Sequence, residues 1–65
     1  MERLWLKEIR RKENISTYKV AKELGISQSQ YSAIENGSRR PSPERAMAIA
    51  NYFGFAWTRF YKEDK

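Results

Sequence analysis

The 65-residue chain has no cysteine, no histidine, only two prolines and three glycines, and no long run of apolar residues. Without cysteine it forms neither disulfides nor thiolate metal sites, so helix packing has to stabilise a small core. Without histidine it lacks the commonest general base and metal ligand, and no spacing of its Ser, Asp or Glu residues suggests a nucleophile or a carboxylate pair. We therefore expect no enzyme, no metal site and no cofactor.

The length and the N-terminal sequence limit the architecture and the location. Sixty-five residues suffice for one domain, so we expect a single domain over residues 1–65. The N-terminus, MERLWLKEIRRKE, has charges spread through it, unlike a signal peptide or a membrane span. These features predict a cytoplasmic protein without a membrane partner.

Positive charge is present in excess. Thirteen Lys and Arg against eight Asp and Glu give a formal net charge of +5. This excess favours a polyanionic partner, with nucleic acid as the first candidate. A basic surface can equally serve solubility alone, so the charge leaves both interpretations open.

Apolar spacing and capping residues predict two helices in the first part of the chain. Leu6 and Ile9 lie on one side of an amphipathic helix that is expected to end near Glu13. Ser16 can cap a second, short helix, which Gly25 stops by adopting a left-handed conformation.

Two more helices and an aromatic segment follow, with no strand pattern. Ser27 and Gln30 form a capping box that begins the third helix, and Asn36-Gly37 ends it. Ser42-Pro43 begins the fourth helix, and Gly54 closes it. The aromatic segment contains Trp57, Phe60 and Tyr61. These side chains either complete the core or expose an apolar patch for a dimer partner.

The second and third helices have the pattern of a helix-turn-helix over residues 16–37. Two short helices around a glycine turn cross closely only where a small residue lies at their contact, and Ala21 is that residue. The apolar positions that accompany it are Val20, Leu24, Ile26, Tyr31 and Ile34.

One face of the third helix has the chemistry of a base-reading surface. At 100° per residue, Tyr31 and Ile34 mark the buried side. The outer side holds only neutral side chains, namely Gln28, Ser29, Ser32 and Ala33. Glutamine can pair bidentately with adenine, serine with several base edges, and a methyl group with the thymine methyl. The alternative is a polar face that lacks charge by chance.

Residues on both sides of this face are candidates for phosphate contacts. Backbone contacts fix the register in which bases are read, and amides and hydroxyls of a first helical turn can hold a phosphate. The candidates are Thr17, Tyr18 and Lys19 in the second helix, and Ser38, Arg39 and Arg40 after the third. For the arginines, simple solvation is the alternative.

These segments resemble the phage repressor and Cro-like helix-turn-helix family, also called the xenobiotic-response-element (XRE) family. The resemblance spans most of the chain. The segments that carry it are LKEIR at 6–10, VAKELGIS at 20–27, YSAIENG at 31–37, and Pro41-Ser42-Pro43 followed by Ala46, Ile49, Ala50 and Phe53.

The resemblance implies an all-α bundle of five short helices, whose third helix lies in the major groove of double-stranded DNA as half of a symmetric homodimer on a palindromic operator. It makes Gln28 and Ser29 the leading base readers, and it implies a structural ion pair between Arg10 and Glu35. Some members carry glutamine at the positions of Ser29 and Ala33, so fewer bidentate contacts are expected here.

The leading hypothesis is therefore a sequence-specific transcriptional regulator, and family habit makes it a repressor. Unlike longer members, the chain shows no appended sensor, protease or oligomerisation domain, so we expect no small-molecule ligand. A protein-interaction module on the same fold and a DNA binder without sequence preference remain alternatives. The uncharged face beside paired arginines favours specific DNA binding over both.

Overall fold

The computed structural model describes residues 2–62, in which five helices follow one another and no strand occurs. The helices are α1 (Leu4–Lys12), α2 (Thr17–Leu24), α3 (Gln28–Asn36), α4 (Pro43–Phe53) and α5 (Arg59–Lys62). The all-α, five-helix class implied by the family resemblance is confirmed. No helix within this part of the chain is long and apolar enough to cross a membrane.

The predicted capping residues begin three of the helices. Ser16 accepts a hydrogen bond from the third amide of α2, and Ser42 does the same for α4, where Pro43 is the first helical residue. At α3 both halves of the predicted capping box are present, since Ser27 and Gln30 exchange side-chain to backbone hydrogen bonds. Each cap occupies a backbone donor that the helix itself leaves without a partner.

Left-handed residues end the first two helices where the sequence predicts a break. Gly25 has φ +73° directly after α2, and Asn14 has φ +60° after α1. α1 itself ends at Lys12, with Glu13 as its C-cap. Because this conformation is costly for most side chains, glycine and asparagine at these positions allow the chain to reverse with little strain.

One apolar cluster joins all five helices. Ala21 of α2, which the sequence analysis places at the helix crossing, is 2% exposed. The buried members of this core are Leu6, Val20, Ala21, Tyr31, Ile34, Ala46, Ile49 and Phe60. Every predicted apolar face thus contributes at least one fully buried side chain, which a domain of this size needs.

The aromatic segment divides between the core and the surface. Phe60 is fully buried, and its ring lies 5.2 Å from that of Trp5, measured between centroids. Trp57 and Tyr61 are half-buried and pack edge to face against each other at 5.5 Å. Phe60 is therefore a core residue, while the other two rings keep part of their surface in contact with solvent.

Arg10 of α1 and Glu35 of α3 form an ion pair inside the domain. Arg10 Nε donates to Glu35 Oε2 at 2.6 Å, and Arg10 Nη2 donates to Glu35 Oε1 at 3.3 Å. Arg10 Nη1 also donates to the carbonyl of Ile15 at 2.8 Å. The side chains are 13% and 2% exposed, respectively. This is the pair implied by the family resemblance, and it links the first helix to the third.

The ion pair also determines the electrostatics of its surroundings. The hydrogen bond between Arg10 and Glu35 raises the pKa of Arg10, although burial acts in the opposite direction. Burial raises the pKa of the neighbouring Tyr31, and the negative charge of Glu35 acts in the same direction. Both residues therefore keep their ordinary protonation states throughout the physiological range.

Removing one partner of this pair is expected to destabilise the domain strongly. Glu35→Ala leaves the Arg10 guanidinium without its counter-charge, which costs about 3 kcal/mol or more. For a domain of this size the melting temperature then falls by about 10 °C or more. Thermal melts followed by circular dichroism measure this change, with Glu23→Ala on the exposed side of α2 as the control.

A double variant separates the charge effect from simple loss of packing. Arg10→Met with Glu35→Leu removes both charges and keeps apolar volume, so it should recover most of the stability that Glu35→Ala loses. A melt of Glu35→Ala within a degree of wild type would contradict the structural role of the pair.

Candidate nucleic-acid interface

The α2 and α3 helices pack against each other with a turn of three residues between them, and Ala21 of α2 is buried. The amide of Ile26 donates to the carbonyl of Ala21 at 3.0 Å, which ties the turn to the end of α2. Gly25 supplies the left-handed conformation at the start of this turn. The short connection and the small, buried side chain of Ala21 allow α3 to pack closely against α2.

The outer face of α3 has the composition that the sequence analysis predicts. Gln28 and Ser29, in its first turn, are exposed, while Ser32 and Ala33 are half-buried further along the helix. Tyr31 and Ile34 lie on the opposite side of the helix and are buried, and Glu35 is buried as well. The four candidate base readers thus share one face, and the two leading candidates stand out furthest from the domain.

A hydrogen bond connects the leading base reader to the first turn of α2. Gln28 Nε2 donates to Thr17 Oγ1 at 2.9 Å. Thr17 is itself a candidate phosphate contact. This bond holds the amide group of Gln28 in place in the unbound protein, which lowers the conformational entropy lost on binding.

The first turn of α2 places two candidate anchors on the surface. Tyr18 is 59% exposed, and Lys19 is exposed as well. The backbone amide of Lys19 donates to Ser16 Oγ at 3.1 Å, so this amide is already used within the domain. A phosphate contact from Lys19 therefore has to come from its side-chain ammonium, and not from its amide as the sequence analysis allows.

The second group of candidate anchors follows α3 directly. The amides of Ser38 and Arg39 both donate to the carbonyl of Ala33, at 3.0 and 3.2 Å. Ser38, Arg39 and Arg40 are exposed. The loop that carries these side chains is thus attached to the same helical turn that carries Ala33, so the loop and the outer face of α3 keep a fixed relation.

Arg45 is not among the residues predicted from the sequence, and it lies close to this loop. Arg39, Arg40 and Arg45 line one shallow concavity together with Gln30, Ile34, Pro41 and Ser42. Arg45 lies in the first turn of α4. Its position in the chain next to the α3–α4 loop is the signal that would have identified it. Three guanidinium groups around one concavity form a strongly cationic edge beside α3.

Comparison with known proteins gives this arrangement a family. The family model described as Helix-turn-helix matches residues 6–60, which is most of the chain. The chain belongs to the helix-turn-helix family. This confirms the resemblance to the phage repressor and Cro-like proteins that the sequence motifs indicate.

A relative with a curated name covers nearly the same length. The helix-turn-helix chain is 38% identical over 63 residues to YqaF of Bacillus subtilis strain 168, which is named an uncharacterized HTH-type transcriptional regulator. The alignment covers 97% of this chain and 83% of YqaF. No solved structure matches the chain.

Arg3 is a second residue that is not among those predicted from the sequence, and it holds the end of α3. Its Nη1 donates to the carbonyls of Ile34, at 2.5 Å, and Arg39, at 3.0 Å. Its amide donates to the carbonyl of Glu35 at 2.8 Å, and its guanidinium lies 5.7 Å from the ring centroid of Phe60. Arg3 precedes α1 and belongs to no motif, so nothing local in the sequence indicates these contacts.

The helix-turn-helix surface has no arrangement of metal ligands. Among residues 2–62, no three of the His, Cys, Asp and Glu side chains converge as a metal ion would require. The groups available on the surface are amides, hydroxyls and cations, which hydrogen-bond to bases and pair with phosphates.

Replacing Arg3 is expected to loosen the end of α3 and the following loop. Arg3→Ala removes charged hydrogen bonds to two carbonyls, which costs about 2 kcal/mol. Hydrogen exchange followed by NMR should show the amides of Ser38 and Arg39 losing more protection than that of Ile26. Lys12→Ala, at an exposed position of α1, is the control. Equal protection of the loop amides in wild type and Arg3→Ala would refute this role.

Proposed function

We propose that this helix-turn-helix protein binds double-stranded DNA in a sequence-specific manner, with α3 in the major groove, and that it represses transcription. The observation that carries the proposal is the uncharged outer face of α3, with a cationic loop attached to the same helix. A merely solvated helix face usually carries Lys and Glu, whereas the neutral polar groups found here can donate to and accept from base edges.

The base-reading roles follow from side-chain chemistry and position. Gln28 pairs bidentately with adenine through N6 and N7. Ser29 and Ser32 exchange hydrogen bonds with neighbouring base edges, and the methyl group of Ala33 contacts a thymine methyl. The exposed position of Gln28 and Ser29 in the first turn supports them as the leading readers, because recognition helices present their N-terminal residues to the bases.

Phosphate contacts on both sides of α3 set the register of the bases. On one side lie Thr17, Tyr18 and Lys19 in the first turn of α2, and on the other lie Ser38, Arg39 and Arg40. Contacts of this kind are insensitive to sequence and supply much of the affinity. A duplex held at both ends of α3 has little freedom to slide relative to Gln28.

We further propose that the protein acts as a homodimer on a two-fold symmetric operator. The half-buried pair Trp57 and Tyr61, of which Trp57 precedes α5 and Tyr61 lies within it, offers apolar surface for a second copy. Two recognition helices related by a dyad then read half-sites about one helical turn apart. Binding to chromosomal or phage DNA places the protein in the cytoplasm, and the proposal requires neither a cofactor nor a small-molecule ligand.

Selection of bound duplexes from a random DNA pool at physiological salt tests the specificity directly. We expect an enriched, two-fold symmetric motif whose half-sites lie about ten base pairs apart. Specific duplexes should bind roughly 10³-fold more tightly than random ones. Binding without enrichment would indicate a non-specific DNA binder, and no binding at all would favour a protein-interaction module.

Substitutions at the two kinds of contact should have different effects. Gln28→Ala is expected to lose about 1–3 kcal/mol of discrimination at one base position. Arg39→Ala should weaken all sequences alike and lower the salt dependence of binding by about one phosphate contact. Affinities on the selected motif and on single-base variants of it, measured at several salt concentrations, separate the two effects.

Matched controls exist for both substitutions. Asn51→Ala removes an exposed amide from α4, and Lys12→Ala removes an exposed cation from α1. Neither should change discrimination or the salt slope by a comparable amount. If Gln28→Ala and Arg39→Ala changed binding in the same way, the separate reading and anchoring roles would be wrong.

A further inference from the structure

A second surface combines an apolar floor with a basic rim. Two adjoining concavities of about 490 and 570 Å³ lie along α1 and α5 and share Trp5 and Arg59. Phe55 lies in the floor of one and Ile9 in that of the other. We call this surface the α1–α5 groove. An apolar floor of this extent suits an aromatic or aliphatic side chain of a partner.

The rim of the α1–α5 groove is mostly positive. Among residues 2–62, its cations are Arg11, Lys12, Arg59 and Lys62, and its acidic residue is Glu8. All five are exposed. The Arg59 guanidinium lies 4.7 Å from the ring centroid of Trp5, which holds this cation above the floor of the groove. An anion and an apolar group bound here would thus find their partners side by side.

The groove lies on the side of α1 that is turned away from α3. With Trp5 as zero and 100° per residue, Arg10 falls near 140°, and Arg10 points to Glu35 of α3. Trp5 and the floor of the groove are therefore on the other side of α1. None of the residues that line the groove is a proposed base or phosphate contact.

We propose that the α1–α5 groove binds an acidic segment of a partner protein that carries an apolar anchor. Carboxylates of such a segment pair with the cationic rim, and its anchor covers Trp5. A second copy in a symmetric contact would place these cations opposite one another, which is repulsive. A DNA backbone would satisfy the rim but would press phosphates against an apolar floor.

The groove leaves the rest of the surface available. On α5, Tyr61 lies about 200° from Arg59, so the Trp57 and Tyr61 pair proposed for dimerisation faces another direction. The α3 face is separate as well. An acidic partner can therefore bind the dimer while it occupies DNA, and the inference does not depend on whether DNA binding is specific.

Peptide selection tests the proposal on the protein as it is. A display library of random twelve-residue peptides is panned on the immobilised full chain, and the enriched peptides are synthesised with a fluorescent label. We expect peptides with several Asp or Glu residues and at least one aromatic or aliphatic residue. The same peptides with Asn and Gln in place of the acids should bind much more weakly, and added salt should weaken the acidic ones.

Charge-reversal variants locate the binding surface. Arg59→Glu should weaken binding of an enriched acidic peptide about fivefold or more, because it replaces an attraction with a repulsion. Lys62→Glu is a second variant that leaves the contact with Trp5 in place. Lys22→Glu changes the net charge equally on the exposed side of α2 and should have a much smaller effect. Circular dichroism melts of each variant are the control for folding.

Four results would overturn the proposal. The first would be that the library enriches no acidic peptides. The second would be that Arg59→Glu and Lys62→Glu both bind an enriched peptide with the same affinity as Lys22→Glu. A third such result would be that Arg59→Glu and Lys62→Glu abolish, in analytical ultracentrifugation, a dimer that wild type and Lys22→Glu form. A second copy would then occupy the groove. The fourth would be that both groove variants weaken binding of a random duplex more than Lys22→Glu does. The groove would then be a DNA-binding surface.

Discussion

A carboxylate that is almost removed from water has to be matched by a positive charge where it lies, and in this domain Arg10 meets that requirement for Glu35. The carboxylate side chain is 2% exposed, and both of its oxygens accept from the guanidinium. Two parallel bonds tolerate little displacement. The pair therefore determines how α1 and α3 lie against each other. The outer face of α3 takes its orientation from the same contact.

Contacts at both ends of α3 also hold it in place, so its position does not depend on how stable the isolated helix would be. A helix of nine residues is marginal in isolation. Its first turn is held by the capping box with Ser27, and its last turn by Arg3, whose guanidinium also faces Phe60 of α5. Through Arg3, α3 is thus connected to the segment before α1 and to α5. Such support matters for reading bases, because a displacement of about an ångström at the first turn is enough to break a bidentate contact.

What could be predicted from the sequence is what local chemistry determines. Ser16, Ser27 and Gly25 mark helix ends because caps and left-handed turns depend on neighbouring residues only, and the apolar period places Tyr31 on the buried side without further information. Arg3 could not be found in this way, since it contacts residues more than thirty positions away. The Arg10 and Glu35 pair, whose members are 25 positions apart, was accessible through family resemblance alone.

The net charge of +5 illustrates the limit of composition as an argument about partners. Lysine and arginine side chains border two surfaces, the outer face of α3 and the α1–α5 groove. The two surfaces differ in the side chains that lie between these cations. Beside α3 the arginines flank neutral side chains that can exchange hydrogen bonds with base edges. In the α1–α5 groove, Arg59 and Lys62 flank Trp5, which offers no hydrogen-bonding pattern of comparable use. Long-range attraction draws polyanions to both surfaces alike. The groups between the cations then favour one partner over the other, because a DNA phosphate is accompanied by bases and a protein carboxylate by neighbouring side chains.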